Sequence, residues 1–499
     1  MNYKKLLVFF ITFILIFYFA LIFQVKLKDC EFGDSGLMFL QTLQFLESSP
    51  KTIAFDYKAL DIDTEMNFLP FQKPFIAIIQ NKAYIDFPPY FPILNSFFFQ
   101  ILGDKGLYIW SFVGLFGTVL LFTKILLETQ IPTWISFLTI LLFSFGSSLP
   151  IYNLFYHEYP IAIFFSSLSF YFFLNKINKK NFTFSFWFGF FSGLSLFFRL
   201  ELVFVFVSLG LAEVLFQKES LKQKVFFVVY TAVGFIIPFS LLLALNQVLH
   251  FHPLGLRYVL NFSYPAHLAL KRSEILFGLF SSKTRGVFFQ TPYMFFPFFI
   301  LLFIWKKENF LTEKKLSFSI VLSLLLISFL APNDGAHFAP RYFFGLYIPT
   351  LFFIASFFSK LEVFSSFLRK IFYLVLILSS LVSILFWKKN LKWTLHMQKE
   401  VKKFTQTLEE NTQEIIVFYD YAYPLNSINL YPKRKYLVAE GEEKLKNLLE
   451  LFIQKKVTQF EFIFNPVLQK PNLKVFEEMG FQTKEKYKDS HMAIFHCKI

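Results

Sequence analysis

Asn333-Asp334-Gly335-Ala336-His337-Phe338-Ala339-Pro340-Arg341-Tyr342 sets charged and turn-forming residues between two apolar runs, Leu316 to Leu330 and Phe343 to Phe358. Those runs are built of Phe, Leu, Ile, Val and Ser, and they approach the length of a membrane crossing. Inside a hydrocarbon layer the protein must satisfy its own polar groups, so an arginine at such a junction needs a partner or water. The ten residues therefore mark a place where the chain leaves a bilayer, with Arg341 positioned to meet something anionic such as a lipid head group.

The rest of the chain has the same character. Of its 499 residues 55% are hydrophobic and only 17% are charged, a balance that soluble domains do not show. The formal charge of +15 does not indicate nucleic acid, because the lysines gather in short links between apolar runs, where the positive-inside rule puts them. Lys176 with Lys179 and Lys180, Lys218 to Lys224, Lys306-Lys307 with Lys314-Lys315, and Lys360 with Arg369-Lys370 are all expected on one side, the cytoplasm. Cys30 and Cys497 are too far apart in sequence for a metal spacing or a disulfide framework.

In chain order, Leu6 to Phe23 follows Lys4-Lys5 without a small-residue cleavage site and is expected to be an uncleaved first helix with a cytoplasmic N-terminus. A polar segment from about Lys26 to Phe87 then falls outside, and within it Ser35 to Leu46 has apolar residues at helical spacing, suited to a helix along the membrane surface. Phe87-Pro88-Pro89-Tyr90-Phe91-Pro92 breaks that pattern, and Ile93 to Leu102 is expected as a short juxtamembrane or re-entrant piece ending at Gly103-Asp104-Lys105-Gly106. Ten further apolar runs follow: Leu107 to Leu127, Trp134 to Ile151, Ile161 to Leu174, Phe184 to Phe198, Leu202 to Phe216, Val225 to Leu245, Tyr293 to Trp305, Leu316 to Leu330, Phe343 to Phe358 and Ile371 to Trp387. With the first helix they predict about eleven crossings.

After Trp387 the charged content becomes ordinary. Leu395 to Glu409 is an amphipathic helix candidate, Glu414 to Tyr419 and Gln459 to Phe464 are strand candidates, and Glu442 to Lys455 is helical by spacing. The expected domains are thus residues 1–387, a mainly α membrane bundle with a first extracytoplasmic loop at about 26–106, and residues 388–499, a small extracytoplasmic α/β domain.

The polar residues that interest chemistry share the face opposite the lysines. Asp34 in Gly33-Asp34-Ser35-Gly36 puts a carboxylate between glycines, where a substrate can come close; the plainer reading makes Asp34 or Ser35 a helix N-cap. Arg199, Arg285 and Arg341 stand at apolar borders, and a guanidinium suits phosphate because its planar fork donates two parallel hydrogen bonds and keeps its charge when partly dehydrated. Their plainer reading is snorkelling, or an internal pair such as Arg199 with Glu201. Tyr156-His157-Glu158-Tyr159-Pro160 offers an imidazole and an acid, or simply a helix start at Pro160. His250, His252 and His337 lack carboxylates at helical spacing, so they give a bound metal little support. The spans carry no Asp/Glu/His series of the kind an ion-driven transporter uses.

Taken in order, these segments resemble the GT-C-fold polytopic glycosyltransferases, the superfamily of dolichyl- and polyprenyl-phosphate-mannose-type enzymes that use lipid-phosphate-linked sugars outside the membrane. The resemblance rests on Gly33-Asp34-Ser35-Gly36 after the first helix, the Pro-rich stretch from Phe87 to Gly103, Glu158-Tyr159-Pro160 opening a helix, and Phe198-Arg199-Leu200-Glu201 ending another. It also rests on Leu279 to Pro292 and on Asp334 to Tyr342, which has Asp334-Gly335 where many relatives carry Gly-Gly. It covers Asp29 to about Pro349 and leaves the C-terminal domain unexplained. It implies a hexosyltransferase of cell-envelope glycans that moves a sugar from a polyprenyl-phosphate donor to a hydroxyl of a glycan, lipid or protein in the extracytoplasmic face of the inner membrane. Asp34 is the implied general base, and Arg285 and Arg341 the implied stabilisers of the leaving phosphate. His157, Glu158, Arg199, Glu201, Lys283, Asp334, His337 and Tyr342 complete the implied substrate-binding set. No cofactor follows from the residues, and a divalent cation at the phosphate is left open. The alternatives are a non-catalytic lipid or polysaccharide transporter, which needs a central path and two accessible states, and a membrane-anchored receptor that binds through residues 388–499.

Overall fold

The computed structural model of the chain describes residues 3–24, 31–48, 52–71, 75–179, 181–216, 220–263, 272–282, 286–330, 339–469 and 471–499. The helices are α1 (Tyr3–Gln24), α2 (Gly33–Glu47), α3 (Tyr90–Leu102), α4 (Ile109–Glu128), α5 (Thr133–Phe145), α6 (Tyr159–Lys179), α7 (Phe182–Ser195), α8 (Val203–Phe216), α9 (Leu221–His250) and α10 (Leu256–Ser263). They continue with α11 (Arg272–Ser281), α12 (Val287–Gln290), α13 (Phe296–Ile304), α14 (Leu311–Leu330), α15 (Tyr347–Phe358), α16 (Ser366–Asn411), α17 (Ala422–Asn426), α18 (Glu442–Gln454) and α19 (Lys474–Glu478).

Each of the eleven apolar runs contains a helix, because a helix satisfies its own backbone within hydrocarbon, but Trp134 to Ile151 is broken after Phe145 and Phe343 to Phe358 opens in the tight turn Arg341–Leu346 before its helix begins. The chain is a multi-pass membrane protein, though eleven crossings is not what helix length alone supports. Among the described residues six helical stretches are long and apolar enough to cross: Lys5–Ile22, Tyr90–Glu128, Tyr159–Ile177, Leu221–His250, Arg341–Phe358 and Ser366–Asn411. The other runs form shorter helices or, for α14, a helix that opens on Glu313-Lys314-Lys315.

Two compact units emerge: Met1–Val25 with Leu107–Thr394, and Lys26–Gly106 with Leu395–Ile499. The sequence reading attached residues 26–106 to the membrane part, whereas their contacts group them with the C-terminal segment. Tyr431 is one of the residues that join them. Its hydroxyl donates to the Asp56 carbonyl at 2.8 Å and accepts from the Lys58 amide at 3.0 Å, and its ring stacks on Phe55 at 5.2 Å. The Phe68 carbonyl accepts from the Val438 amide at 2.9 Å. Within this unit β1 (Ile76–Ile79) and β2 (Lys82–Ile85) form a hairpin whose turn residues Gln80 and Asn81 both have positive φ, as a two-residue turn requires.

A five-stranded sheet in the order β4-β3-β5-β7-β6 completes the unit, from β3 (Ile415–Phe418), β4 (Lys435–Val438), β5 (Gln459–Phe464), β6 (Gln482–Lys488) and β7 (Ala493–Lys498). Strands β3, β4 and β5 are parallel, so α18 serves as the crossover from β4 to β5, and it buries Leu445, Leu448, Leu449 and Phe452 at helical spacing. The amphipathic segment at 395–409 is not a separate helix. It is the end of α16, which runs unbroken through Lys388-Lys389 because no Pro or Gly occurs between Ser366 and Asn411.

In the membrane unit apolar helices approach through small residues. Gly189 and Gly193 on α7 form a G-x-x-x-G ridge against α9, and a Cβ at Gly189 would come within 2.0 Å of the Thr231 carbonyl. Serines on α14 reach across to α8, with Ser319 donating to the Ser208 carbonyl at 3.1 Å. Polarity is concentrated at the helix ends. At one end Glu213 of α8, fully buried, accepts from Lys176 of α6 at 2.6 Å and from Lys315 of α14 at 2.8 Å. Beside it, on the same α14, buried Glu313 pairs with Lys360 at 2.8 Å and accepts from Ser356. Three of the lysine groups assigned by sequence to one side are thus tied to two carboxylates at one end of the bundle.

Removing one member of a buried ion pair strands the other and costs about 3–5 kcal/mol. Glu213→Gln is expected to destabilise the detergent-solubilised protein by that order, read as a lower thermal unfolding midpoint, and more than Lys176→Gln, which leaves Lys315 to neutralise the carboxylate. Equal stability of Glu213→Gln and wild type would show that the two ammonium groups do not depend on this carboxylate.

Candidate functional site

The opposite helix ends of the same unit carry a second polar cluster. The strand of chain before α6 brings His157 and Glu158 inward, and the turn between α7 and α8 brings Arg199; all three are buried, with 1–2% exposure. Glu158 Oε1 forms an ion pair with Arg199 Nη2 at 2.6 Å, and its Oε2 lies 2.8 Å from His157 Nδ1. His157 Nε2 lies 3.4 Å from Arg199 Nη2.

Aromatic rings hold these groups in place. The Arg199 guanidinium lies 3.8 Å from the centre of the Tyr159 ring, and His157 stacks on Tyr159 at 4.6 Å. Phe344, from the turn Arg341–Leu346, packs edge-on against Tyr159 at 5.0 Å and Tyr152 at 5.1 Å. That contact fastens the turn carrying Arg341 and Tyr342, both buried, to the cluster. The positive charge of Arg341 reaches Arg199 and works against it.

Burial alone would push the Glu158 carboxyl up. The Arg199 guanidinium, then the His157 ring and the more distant charge of Arg257, outweigh that effect and hold it at about 2. Burial likewise opposes the charge on Arg199, and Glu158 more than restores it. The charges of Arg257 and Arg341 both reach this cluster, the first acting on Glu158 and the second on Arg199.

The structure brings together His157, Glu158, Arg199, Glu201 and Arg341 from the sequence-derived set. The internal pair suggested by sequence forms, with Glu201 4.0 Å from Arg199 Nη1, but Glu158 is the closer partner at 2.6 Å. Arg199 is therefore engaged by protein and positions its neighbours. Arg257, on α10, was missed, because its short helix between His250 and Pro292 carries no motif. Lys283, Arg285, Asp334 and His337 lie outside the described residues.

Asp34 belongs to the other compact unit, in the first turn of α2 and half-buried. It is not an N-cap: the cap is Phe32, which makes no side-chain bond to the helix. Gly33 takes φ +55°, the left-handed region that glycine enters without strain. α2 does not lie as a lone surface helix; a Cβ on Gly36 would come within 2.6 Å of Ile428 of the same unit, so the helix packs closely against the turn after α17. Among the described residues no group of three His, Cys, Asp or Glu is placed to hold a metal ion.

A membrane bundle of this helix order joined to a small C-terminal α/β unit is the GT-C fold. Among solved structures the chain is similar to ArnT from Cupriavidus metallidurans bound to undecaprenyl phosphate, with a TM-score of 0.56 and 11% identity over 99% of this chain and 98% of that one. The same protein in the apo state gives a TM-score of 0.54 and 9% identity over 99% and 98%. No family model and no curated sequence matches the chain.

The depressed Glu158 carboxyl has a defined pH signature. Its folded value of about 2 lies below the ordinary 4.5, so its ionic stabilisation is complete above about pH 4.5 and disappears as pH falls through about 2. Glu158→Gln is expected to be less stable than wild type at neutral pH, and the gap between their unfolding midpoints should narrow across that window. A gap independent of pH would show that the carboxylate does not carry the stabilisation.

Proposed function

We propose that the chain is an integral-membrane glycosyltransferase that moves a sugar from a polyprenyl-phosphate donor to an acceptor hydroxyl at the extracytoplasmic face. The observation that carries this reading is the fold, shared over nearly the whole length with a protein crystallised with undecaprenyl phosphate. The arginines gathered at the helix ends opposite the paired lysines, Arg199 and Arg341 with Arg257 acting on the same cluster, support it, because a guanidinium is suited to a lipid phosphate. The lysine-rich end is read as cytoplasmic, which puts the Glu158 cluster outside.

In the proposed reaction the acceptor oxygen bonds to the anomeric carbon of the sugar while the bond from that carbon to the phosphate oxygen breaks, through an oxocarbenium-like transition state. The acceptor proton passes to the Asp34 carboxylate, and the polyprenyl phosphate departs with the bonding electrons. Arg341 would meet the negative charge that grows on the phosphate. Glu158, His157 and Arg199 would act through Arg341 and its turn, as positioning residues. The transferred sugar belongs to this proposal only as a class, and the acceptor as a glycan, lipid or protein hydroxyl.

The test is Asp34→Asn in membranes supplied with a polyprenyl-phosphate sugar. Loss of a general base is expected to cut transfer by about 10²–10⁴-fold while leaving binding of the polyprenyl phosphate unchanged. Full activity would remove Asp34 from the chemistry. Movement of intact lipid-linked sugar between leaflets, with no glycan product from wild type, would favour a transporter instead.

A further inference from the structure

The lysine-rich end of the membrane unit contains a hollow of about 420 Å³ between the link from α4 to α5 and the α15 to α16 corner. Trp134, Glu362, Arg369, Lys370 and Tyr373 are among the side chains that line it. We propose that it is a binding site for an anionic phospholipid with a polyol head group, the phosphodiester meeting Arg369 and Lys370.

Charge gives the first argument. The buried cations at this end each have a carboxylate: Lys176 and Lys315 share Glu213. Even half-exposed Lys360 is paired, with Glu313. Arg369 and Lys370 make no ion pair with any described carboxylate, although Glu362 lines the same hollow. Two cations side by side on a cavity wall attract a phosphodiester, and basic pockets between membrane helices on the lysine-rich face suit lipid head groups. Glu362, across the same space, is an acceptor for head-group hydroxyls, which a polyol head supplies and a choline head does not.

The aromatic wall gives the second argument. Trp134 is half exposed and its ring lies 6.1 Å from that of Tyr373, which packs edge-on against Phe358 at 5.3 Å. Such rings favour the level of the glycerol backbone, between head group and acyl chains. The hollow thus offers cations to the phosphate, an acceptor to the polyol and aromatic faces to the glycerol.

Trp134 is also the reporter. Full-length protein is placed in phosphatidylcholine nanodiscs with increasing fractions of chain-brominated phosphatidylglycerol or chain-brominated phosphatidylcholine, and quenching due to Trp134 is taken as the difference between wild type and Trp134→Phe. Half-maximal quenching is expected at a phosphatidylglycerol fraction roughly thirtyfold lower than for phosphatidylcholine, the scale of two surface cations acting on an anionic lipid. Arg369→Gln with Lys370→Gln should abolish that preference, while Lys222→Gln with Lys224→Gln, at the start of α9, should leave it intact. Equal quenching by both lipids in wild type, or a preference that survives in the Arg369/Lys370 variant, overturns the site. So does an equal loss in the Lys222/Lys224 variant, which would mean general surface charge, or displacement of the brominated lipid by millimolar glycerol phosphate, which would mean a soluble ligand.

Discussion

A carboxylate and a guanidinium that have both left water, Glu158 and Arg199, constrain one end of the membrane unit. Desolvating two ions costs several kcal/mol each, recovered only when geometry is close and the remaining lone pairs and protons are occupied. Here the second carboxylate oxygen faces His157, and the flat side of the guanidinium rests on Tyr159. The pair joins the start of α6 to the turn that opens α8. Through Tyr159 and Phe344 it also fixes the turn ahead of α15. Three helices are thereby held at a common level by one ion pair and its rings.

The same helices are tied again at their far ends by Glu213 and Glu313. At 1.5 Å per residue the rise from Glu158 to Lys176 along α6 is about 27 Å, close to the thickness of a bilayer's hydrocarbon core. Between the two levels the contacts are Gly, Ser and aromatic, which define how near helices come but tolerate sliding. Ion pairs at both ends remove that freedom, since moving one helix by a turn would bury Glu213 or Glu158 without its partner. Register along the membrane normal is therefore a matter of charge, and lateral spacing a matter of small side chains.

This division explains what could be read from the sequence. The apolar runs were legible because hydropathy depends on neighbours in sequence, and His157, Glu158, Arg199 and Arg341 were legible because each interrupts such a run. Arg257 was not, since it acts through a charge on Glu158 from a distant short helix. Glu213 was equally hidden: a glutamate close to a lysine cluster resembles a solvated loop, and only the fold shows it to be completely buried. The grouping of residues 26–106 with the C-terminal segment depends on Tyr431 meeting Phe55 and Phe71, long-range ring contacts with no local pattern. The continuity of α16 could have been inferred from the absence of helix breakers, but the change from apolar to charged composition at Trp387 suggested a boundary.

The arrangement of charge at the Glu158 cluster also has a direction. Arg341 and Arg199 repel each other in a setting where little water screens them, and Glu158 is already engaged with Arg199 and His157. A third cation, Arg257, adds to the same field. Like charges gathered at low dielectric raise the energy of the unliganded site, and an anion entering beside them relieves that repulsion as well as forming its own contacts. Phe344 holds the Arg341 turn against the ring that also carries Arg199. In the proposed reaction, a group whose charge increases as a bond breaks gains more from these guanidiniums than one whose charge stays constant.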